Sequence, residues 1–182
     1  MSLNLQLDGE AWNAVLAGLS RALGKKGSPV RLCLIGSAAC LLGGMEGRTS
    51  ADLDIWKPAS DYDRGELKTA AEKIGLLFDP KQTLEPDRPY LQLVEPGLTQ
   101  IGNFEPVLVE RIGRLHIFRP PVENLIAAKL IRAEPKDLGD IRFLVSRHRP
   151  DLRRVRKIVG AFEPRARERA GENLVYLEVL ET

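Results

Sequence analysis

Apolar residues recur at Trp12, Val15, Leu16, Leu19 and Leu23, three and four positions apart. That spacing predicts an amphipathic helix over 10–23, ended by Gly24 and the run Lys25-Lys26-Gly27-Ser28-Pro29. The pattern then changes period. Val30 to Ile35 is apolar except for Arg31 and suits a buried strand. Gly36-Ser37-Ala38-Ala39 turns from it into a short helix through Leu42, closed by Gly43-Gly44. Ala51 to Trp56 alternates polar Asp52 and Asp54 with apolar Leu53 and Ile55, which predicts a second strand ending at Lys57-Pro58. Ser60 is placed to cap the next helix, with Asp63 three residues on in the capping-box position. Leu67, Ala70, Ala71 and Ile74 form that helix's apolar face, and Gly75 closes it.

Between Leu76 and Phe118 the pattern is strand and turn. Tyr90–Val94, Leu98–Ile101, Val107–Glu110 and Arg114–Phe118 are the candidate strands, broken up by Pro80, Pro86, Pro89, Pro96 and Pro106. Their pairing cannot be read from the chain. Pro120-Pro121 suits a helix start, and helical spacing follows over 121–133, 136–148 and 151–162, with a weaker stretch over 164–180. The expected class is α+β: an α/β core over 1–119 with a small mixed sheet flanked by helices, and a helical segment over 120–182 packed on it as one compact domain.

Composition narrows the class further. At 182 residues the chain can bury a core without disulfides or metals as staples. Hydrophobic residues at 43% and charged residues at 29% are ordinary for a globular protein. No apolar run approaches the roughly 20 residues of a membrane helix, and Met1-Ser2-Leu3-Asn4 does not begin a secretory signal. A cytoplasmic protein without a membrane partner is expected. Cys33 and Cys40 form no CxxC pair, and with only His116 and His148 as histidines a zinc site is not expected.

Candidate chemistry sits at two points of the α/β part. Asp52 and Asp54 share one face of their strand, and like charges this close are tolerated when a cation lies between them. Oxygen ligands of this kind suit Mg2+ (or Mn2+), which takes one or two carboxylates plus substrate phosphates. The plain alternative is a pair of aspartates ending an exposed strand in water. Just upstream, Gly36 and Ser37 end a strand and open a helix, a turn whose backbone N–H groups favour phosphate. It is also simply a strand-to-helix turn. Taken together, a phosphate cradle followed by a carboxylate pair describes a nucleoside triphosphate held over a divalent ion.

Gly36-Ser37-Ala38-Ala39 followed by Arg48-Thr49-Ser50-Ala51-Asp52-Leu53-Asp54 resembles the signature of nucleotidyltransferase-fold proteins, and more narrowly the branch containing the AbiE-type bacterial toxins. The later stretches Leu125-Ile126-Ala127-Ala128-Lys129-Leu130 and Lys136-Asp137-Leu138-Gly139-Asp140-Ile141 resemble that branch as well, so four elements match in order over about 36–141. The resemblance implies a nucleotidyltransferase fold and Mg2+-dependent transfer of a nucleoside monophosphate from a nucleoside triphosphate. The acceptor would be an RNA (such as tRNA) or a protein, in a toxin–antitoxin or phage-defence setting with a cognate antitoxin. Asp52 and Asp54 would hold metal. Gly36, Ser37, Arg48, Thr49 and Lys129 would bind nucleotide, and Lys129, Asp137 and Asp140 would join the catalytic set. Active members use a third carboxylate on a neighbouring strand. Here the region 91–110 offers Thr99-Gln100-Ile101, with Glu95, Glu105 and Glu110 as substitutes and Gln100 unable to act as a base. A catalytically degraded relative that binds a nucleotide or a partner is therefore the second expectation.

The residues of the helical part carry their own readings. Val122, Leu125, Ile126 and Lys129 share a helix face, so Lys129 must reach a partner or snorkel to water. Asp137 suits a helix N-terminus, and Asp140 is placed to pair with a neighbour such as Arg132 or Lys136. From Arg142 to Ala170 there are ten Lys/Arg against three Asp/Glu, densest at Arg147, Arg149, Arg153, Arg154, Arg156 and Lys157. Such a run is either a solvated face or a contact for a phosphate backbone.

Overall fold

The computed structural model describes residues 6–80, 88–97 and 99–180. The opening residues 1–5, Pro86 and Leu98, each part of an expectation above, lie outside them. Within the described residues the protein is mixed α/β, and the chain groups into two units: 1–95 with 106–119, and 96–105 with 120–182. The segment 96–105, ahead of the expected boundary at 119, thus belongs with the helices.

The first unit contains α1 (Gly9–Leu23), β1 (Val30–Ile35), α2 (Gly36–Leu41), β2 (Asp52–Trp56), α3 (Arg64–Lys73), β3 (Leu77–Phe78), β4 (Tyr90–Val94), β5 (Val107–Ile112) and β6 (Leu115–Arg119). The strands form one mixed sheet in the order β3-β4-β2-β1-β6-β5. β1 and β2 run antiparallel, as do β5 and β6, while β1–β6, β2–β4 and β3–β4 are parallel. One sheet face carries Val30, Leu32, Leu34, Leu53, Ile55, Leu91, Leu93, Leu115 and Ile117, which pack with Trp12, Leu16, Leu19 and Leu23 of α1 and Leu67, Ala70 and Ala71 of α3 into a single core. The period-2 alternation of the strands sends the remaining side chains, Asp52 and Asp54 among them, to the opposite face.

Local chemistry accounts for the helix ends. Asp8 caps α1 by accepting from the Ala11 N–H at 2.9 Å. α3 begins later than the sequence suggests. Its cap is Asp63, which accepts from the Glu66 N–H at 2.7 Å. Ser60 closes a 3-10 turn over Lys57–Ala59 instead: its hydroxyl donates to the Trp56 carbonyl and accepts from the Cys33 N–H. Both residues are good caps, and the turn decides between them.

The second unit contains α4 (Val122–Leu130), α5 (Pro135–His148), α6 (Leu152–Gly160), α7 (Pro164–Glu172) and α8 (Val175–Leu180). The weak helix expected over 164–180 is two helices. Thr99–Ile101 forms no strand. Instead the fully buried Asn124 of α4 donates to the carbonyls of Ile101 at 2.8 Å and Asn103 at 3.3 Å, and Gln100 accepts from the Glu163 N–H at 2.9 Å. Gly102, at φ +75°, makes the bend that this attachment requires.

Candidate functional site

β2 and β4 lie side by side in parallel register, with Asp52 opposite Tyr90, Asp54 opposite Gln92 and Trp56 opposite Val94. Leu53 and Ile55 are fully buried on the core face, so Asp52 and Asp54 point away from it, neighbours along the strand at about 6.6 Å between Cα atoms. Both are half-buried. Asp52 is held by the buried Ser50 hydroxyl, which donates to its Oδ1 at 2.6 Å, and Tyr90 stands opposite it on β4. Burial first, then the nearby charges of Asp52 and Asp54, push the Tyr90 phenol up to about 12.

The glycine turn lies against this pair. Gly36 follows β1 directly, and β1 pairs with β2 so that Ile35 stands opposite Asp54. Gly36 has φ +64°, and a Cβ placed on it would meet Asp54 Oδ2 at 2.8 Å. No side chain caps the first turn of α2, which leaves its first N–H groups to other partners. α2 has six residues, so its attraction for anions rests on these local N–H groups more than on a summed dipole. Arg48 donates to the Ser37 hydroxyl, which brings a guanidinium to the same turn. Gly36, Ser37, Arg48, Asp52 and Asp54 are therefore one cluster. Thr49 stands apart from that pattern, exposed, with its hydroxyl donating to Gln6 Oε1 at 3.2 Å.

The strand neighbour of Asp54 is Gln92, a position the sequence reading passed over in favour of Thr99–Ile101. Its amide donates to Asp79 Oδ1 at 3.1 Å, and Asp79 Oδ2 accepts from Arg64 at 3.1 Å. Asp79 is a buried carboxylate at φ +49°, bound into this local network. Glu95 pairs with Lys57 at the surface, and Glu110 lies on the exposed edge strand β5. Tyr90 and Gln92 had a signal in the chain: they alternate with Leu91 and Leu93 as Asp52 and Asp54 alternate with Leu53 and Ile55.

The other three residues meet in the second unit. Lys129 Nζ lies 2.6 Å from Asp140 Oδ2 and 3.7 Å from Asp137 Oδ1. Arg132 donates twice to Asp137, at 2.7 and 2.9 Å. Asp137 also accepts from the Glu134 N–H, which completes a capping box at the start of α5. Lys129, Asp137 and Asp140 are all buried, so the lysine neither snorkels nor stands alone. Burial alone would raise the Asp137 carboxyl. The Arg132 bonds, the Lys129 and Arg132 charges and the Glu134 N–H outweigh it and hold the group below its ordinary value.

The donor set at Asp52 and Asp54 fits a hard divalent ion that takes two protein carboxylates and completes its shell with water and phosphate. No group of three or more His, Cys, Asp or Glu able to hold a metal occurs among the described residues. Cys33 and Cys40 are buried and form no disulfide, and burial pushes the Cys33 thiol up to about 12. No described helix is long and apolar enough to cross a membrane. No protein-family model matches the chain, and no curated protein or solved structure shows significant similarity to it.

Proposed function

We propose that the protein has a nucleotidyltransferase fold and binds a nucleoside triphosphate through Mg2+ at Asp52 and Asp54, transferring the nucleoside monophosphate to an acceptor and releasing pyrophosphate. The observation that carries this reading is the contact of the Gly36 turn with the Asp54 carboxylate. An anion-seeking turn and a cation-seeking pair in contact make sense when a polyphosphate with its metal lies across both. Asp52 and Asp54 would hold the ion, which when bound would supply positive charge against the charge that develops on the phosphates. The Gly36 and Ser37 N–H groups would receive terminal phosphate oxygens, because glycine lets the backbone approach closely. Arg48 would add positive charge at Ser37.

Of the two acceptors that the sequence suggests, RNA is favoured by the exposed cations of the second unit. Arg153, Arg154 and Lys157 share a face of α6, are exposed, and enter no ion pair among the described residues. A toxin–antitoxin or phage-defence setting, with a cognate antitoxin and action in the cytoplasm, belongs to the same proposal and rests on the sequence resemblance alone.

A second reading is favoured by Gln92. A neutral amide stands beside Asp54 where a third carboxylate would complete the metal site and activate an acceptor hydroxyl. On that reading the protein binds a nucleotide without transferring it, or binds a partner. Calorimetric titration with the four nucleoside triphosphates, with and without Mg2+, tests the shared part. Binding that requires Mg2+ and is lost in Asp52→Ala and Asp54→Ala supports the site, and Mg2+-independent or unaltered binding rejects it. Transfer of radiolabelled nucleoside monophosphate to RNA or protein then separates the enzyme from the binder.

A further inference from the structure

We propose that Asp79 is a positioning residue that turns the Gln92 amide, so that the amide oxygen serves as a neutral third protein ligand for the ion at Asp52 and Asp54. This rests on the metal-bound nucleotide reading above. Gln92 stands opposite Asp54 in the β2–β4 pairing, on the sheet face that the two aspartates share. Neighbouring strands lie about 4.8 Å apart, so an ion on Asp54 would be within the span of a glutamine side chain. The Gln92 Nε2 donates to Asp79 Oδ1 at 3.1 Å and to the Leu93 carbonyl at 3.4 Å. Both partners are acceptors, and this decides the orientation of the amide, because Oε1 turned that way would face two oxygens. With the nitrogen engaged twice, Oε1 is left without a donor among the described residues.

The direction in which that oxygen is left follows from the sheet. β4 lies between β3 and β2. Asp79 follows β3; its N–H donates to the Leu91 carbonyl at 2.7 Å, and its Oδ1 also accepts from the Leu93 N–H at 3.4 Å. Those two groups line the β4 edge that faces β3, whereas the Tyr90 N–H of the same strand points to β2 and donates to the Ala51 carbonyl at 3.1 Å. The amide nitrogen is therefore drawn towards β3, and its oxygen is left towards β2 and Asp54. Asp79 is itself fixed. It is buried, its Oδ2 accepts from Arg64 at 3.1 Å, and that guanidinium lies 5.1 Å from the centre of the Phe78 ring. Its backbone, at φ +49°, is in the left-handed region, which aspartate enters more readily than most residues. The amide gives the ion an oxygen without adding charge or a base.

The test is Mn2+ binding followed by electron paramagnetic resonance, with and without a non-hydrolysable nucleoside triphosphate analogue, beside the thermal midpoint of each metal-free protein. Groups that orient a metal ligand commonly change metal affinity by about 10- to 100-fold when removed, and loss of the ligand itself is expected to cost no less. Gln92→Met, which keeps the length of the side chain without its oxygen, should weaken Mn2+ binding at least about tenfold. Asp79→Ala should weaken it about 10- to 100-fold. Asp79→Asn should recover most of that loss, because its amide oxygen still accepts from Gln92 while the exposed Arg64 turns to water. In the Gln92→Met background Asp79→Ala should change Mn2+ affinity no further, since Asp79 acts through Gln92, whereas a merely structural role would add its own loss there. The proposal is overturned if Gln92→Met binds Mn2+ as wild type does while Asp52→Asn does not, an outcome that leaves the metal reading standing. It is overturned equally if the two losses add in the double variant. If wild type binds no Mn2+ under either condition, the metal reading fails and this inference fails with it. Should Asp79→Ala not fold, Gln92→Met alone decides.

Discussion

Gly36 leaves room for the side chain of Asp54 that no other residue would: a methyl group there would lie 2.8 Å from Oδ2, on a backbone at φ +64°. Two effects act together in Gly36→Ala. The left-handed conformation costs a non-glycine residue about 1–2 kcal/mol. The added methyl must also displace the Asp54 carboxylate, because the clash is with the movable end of that side chain. The expected result is a modest loss of stability with a larger loss of Mg2+-dependent nucleotide binding. Calorimetry beside a thermal melt checks it, and binding lost only in proportion to folded protein would refute it.

Gln92 offers a gain-of-function test. It stands opposite Asp54 on β4, so Gln92→Asp places a third carboxylate next to the pair while staying shorter than the amide that reaches Asp79. Without metal, the variant should be less stable, by about 1–3 kcal/mol, because Asp79 loses a hydrogen bond and like charges gather. With Mg2+ the sign reverses, since a unit negative charge about 4 Å from a divalent ion is worth roughly 2–8 kcal/mol at effective dielectric constants between water and a protein surface. Thermal midpoints in EDTA and in Mg2+ measure the two effects. Transfer of nucleoside monophosphate that appears in Gln92→Asp and not in wild type would establish the binding-module reading.

The chain displays the local parts of this site and hides the non-local ones. The Asp52/Leu53/Asp54/Ile55 alternation announces which side chains face the core, because burial of one sheet face enforces period two. The Gly36-Ser37 turn is legible because a strand pattern gives way to a helical one there. Gln92 was not, because its importance comes from a parallel pairing between strands more than thirty residues apart, and sequence spacing carries no register for such a pair. Tyr90 is missed for the same reason. Thr99–Ile101 looks like strand, yet its backbone is claimed by Asn124 and its neighbour Gly102 bends away. Lys129 is half legible: its place on a buried face demanded a partner, but the chain suggests Arg132 or Lys136 for Asp140, and only the packing of α4 on α5 brings Asp140 to Lys129 instead.

The exposed arginines of the second unit predict how an RNA acceptor would bind. Arg153, Arg154 and Lys157 occupy one face of α6, whose opposite side buries Val155 and Val159, so this helix has no apolar face left to insert into a lipid surface. Guanidinium groups fork onto phosphate oxygens, and each neutralised phosphate releases counterions. Charge reversal at all three should weaken RNA binding at 50 mM salt at least tenfold and flatten the slope of log affinity against log salt by about two to three. Fluorescence anisotropy over a salt series reads both. An unchanged slope would show that α6 does not touch the phosphate backbone.

The Lys129–Asp140 pair and its neighbour Asp137 predict both a stability loss and its pH dependence. Asp140→Asn leaves the buried ammonium of Lys129 without its 2.6 Å partner, and breaking such a pair costs about 3–5 kcal/mol. Replacing both members, as in Lys129→Met with Asp140→Leu, should be milder than the sum of the single changes, because no buried charge is then stranded. Asp137 adds the pH term. Its folded carboxyl is held below its ordinary value of 3.8, so the unfolded chain takes up a proton first as pH falls. The stabilisation is therefore fully present above that ordinary value and drains away as pH drops towards the lower folded one. Asp137→Asn, which cannot ionise, should lose stability at pH 6 and show a shallower fall below about pH 4 than wild type does. Urea midpoints from pH 6 down to pH 2.5 measure this: the gap between the two proteins should narrow on the acid side. A gap that stays constant across that range would mean that Arg132 and Lys129 contribute nothing through the Asp137 charge.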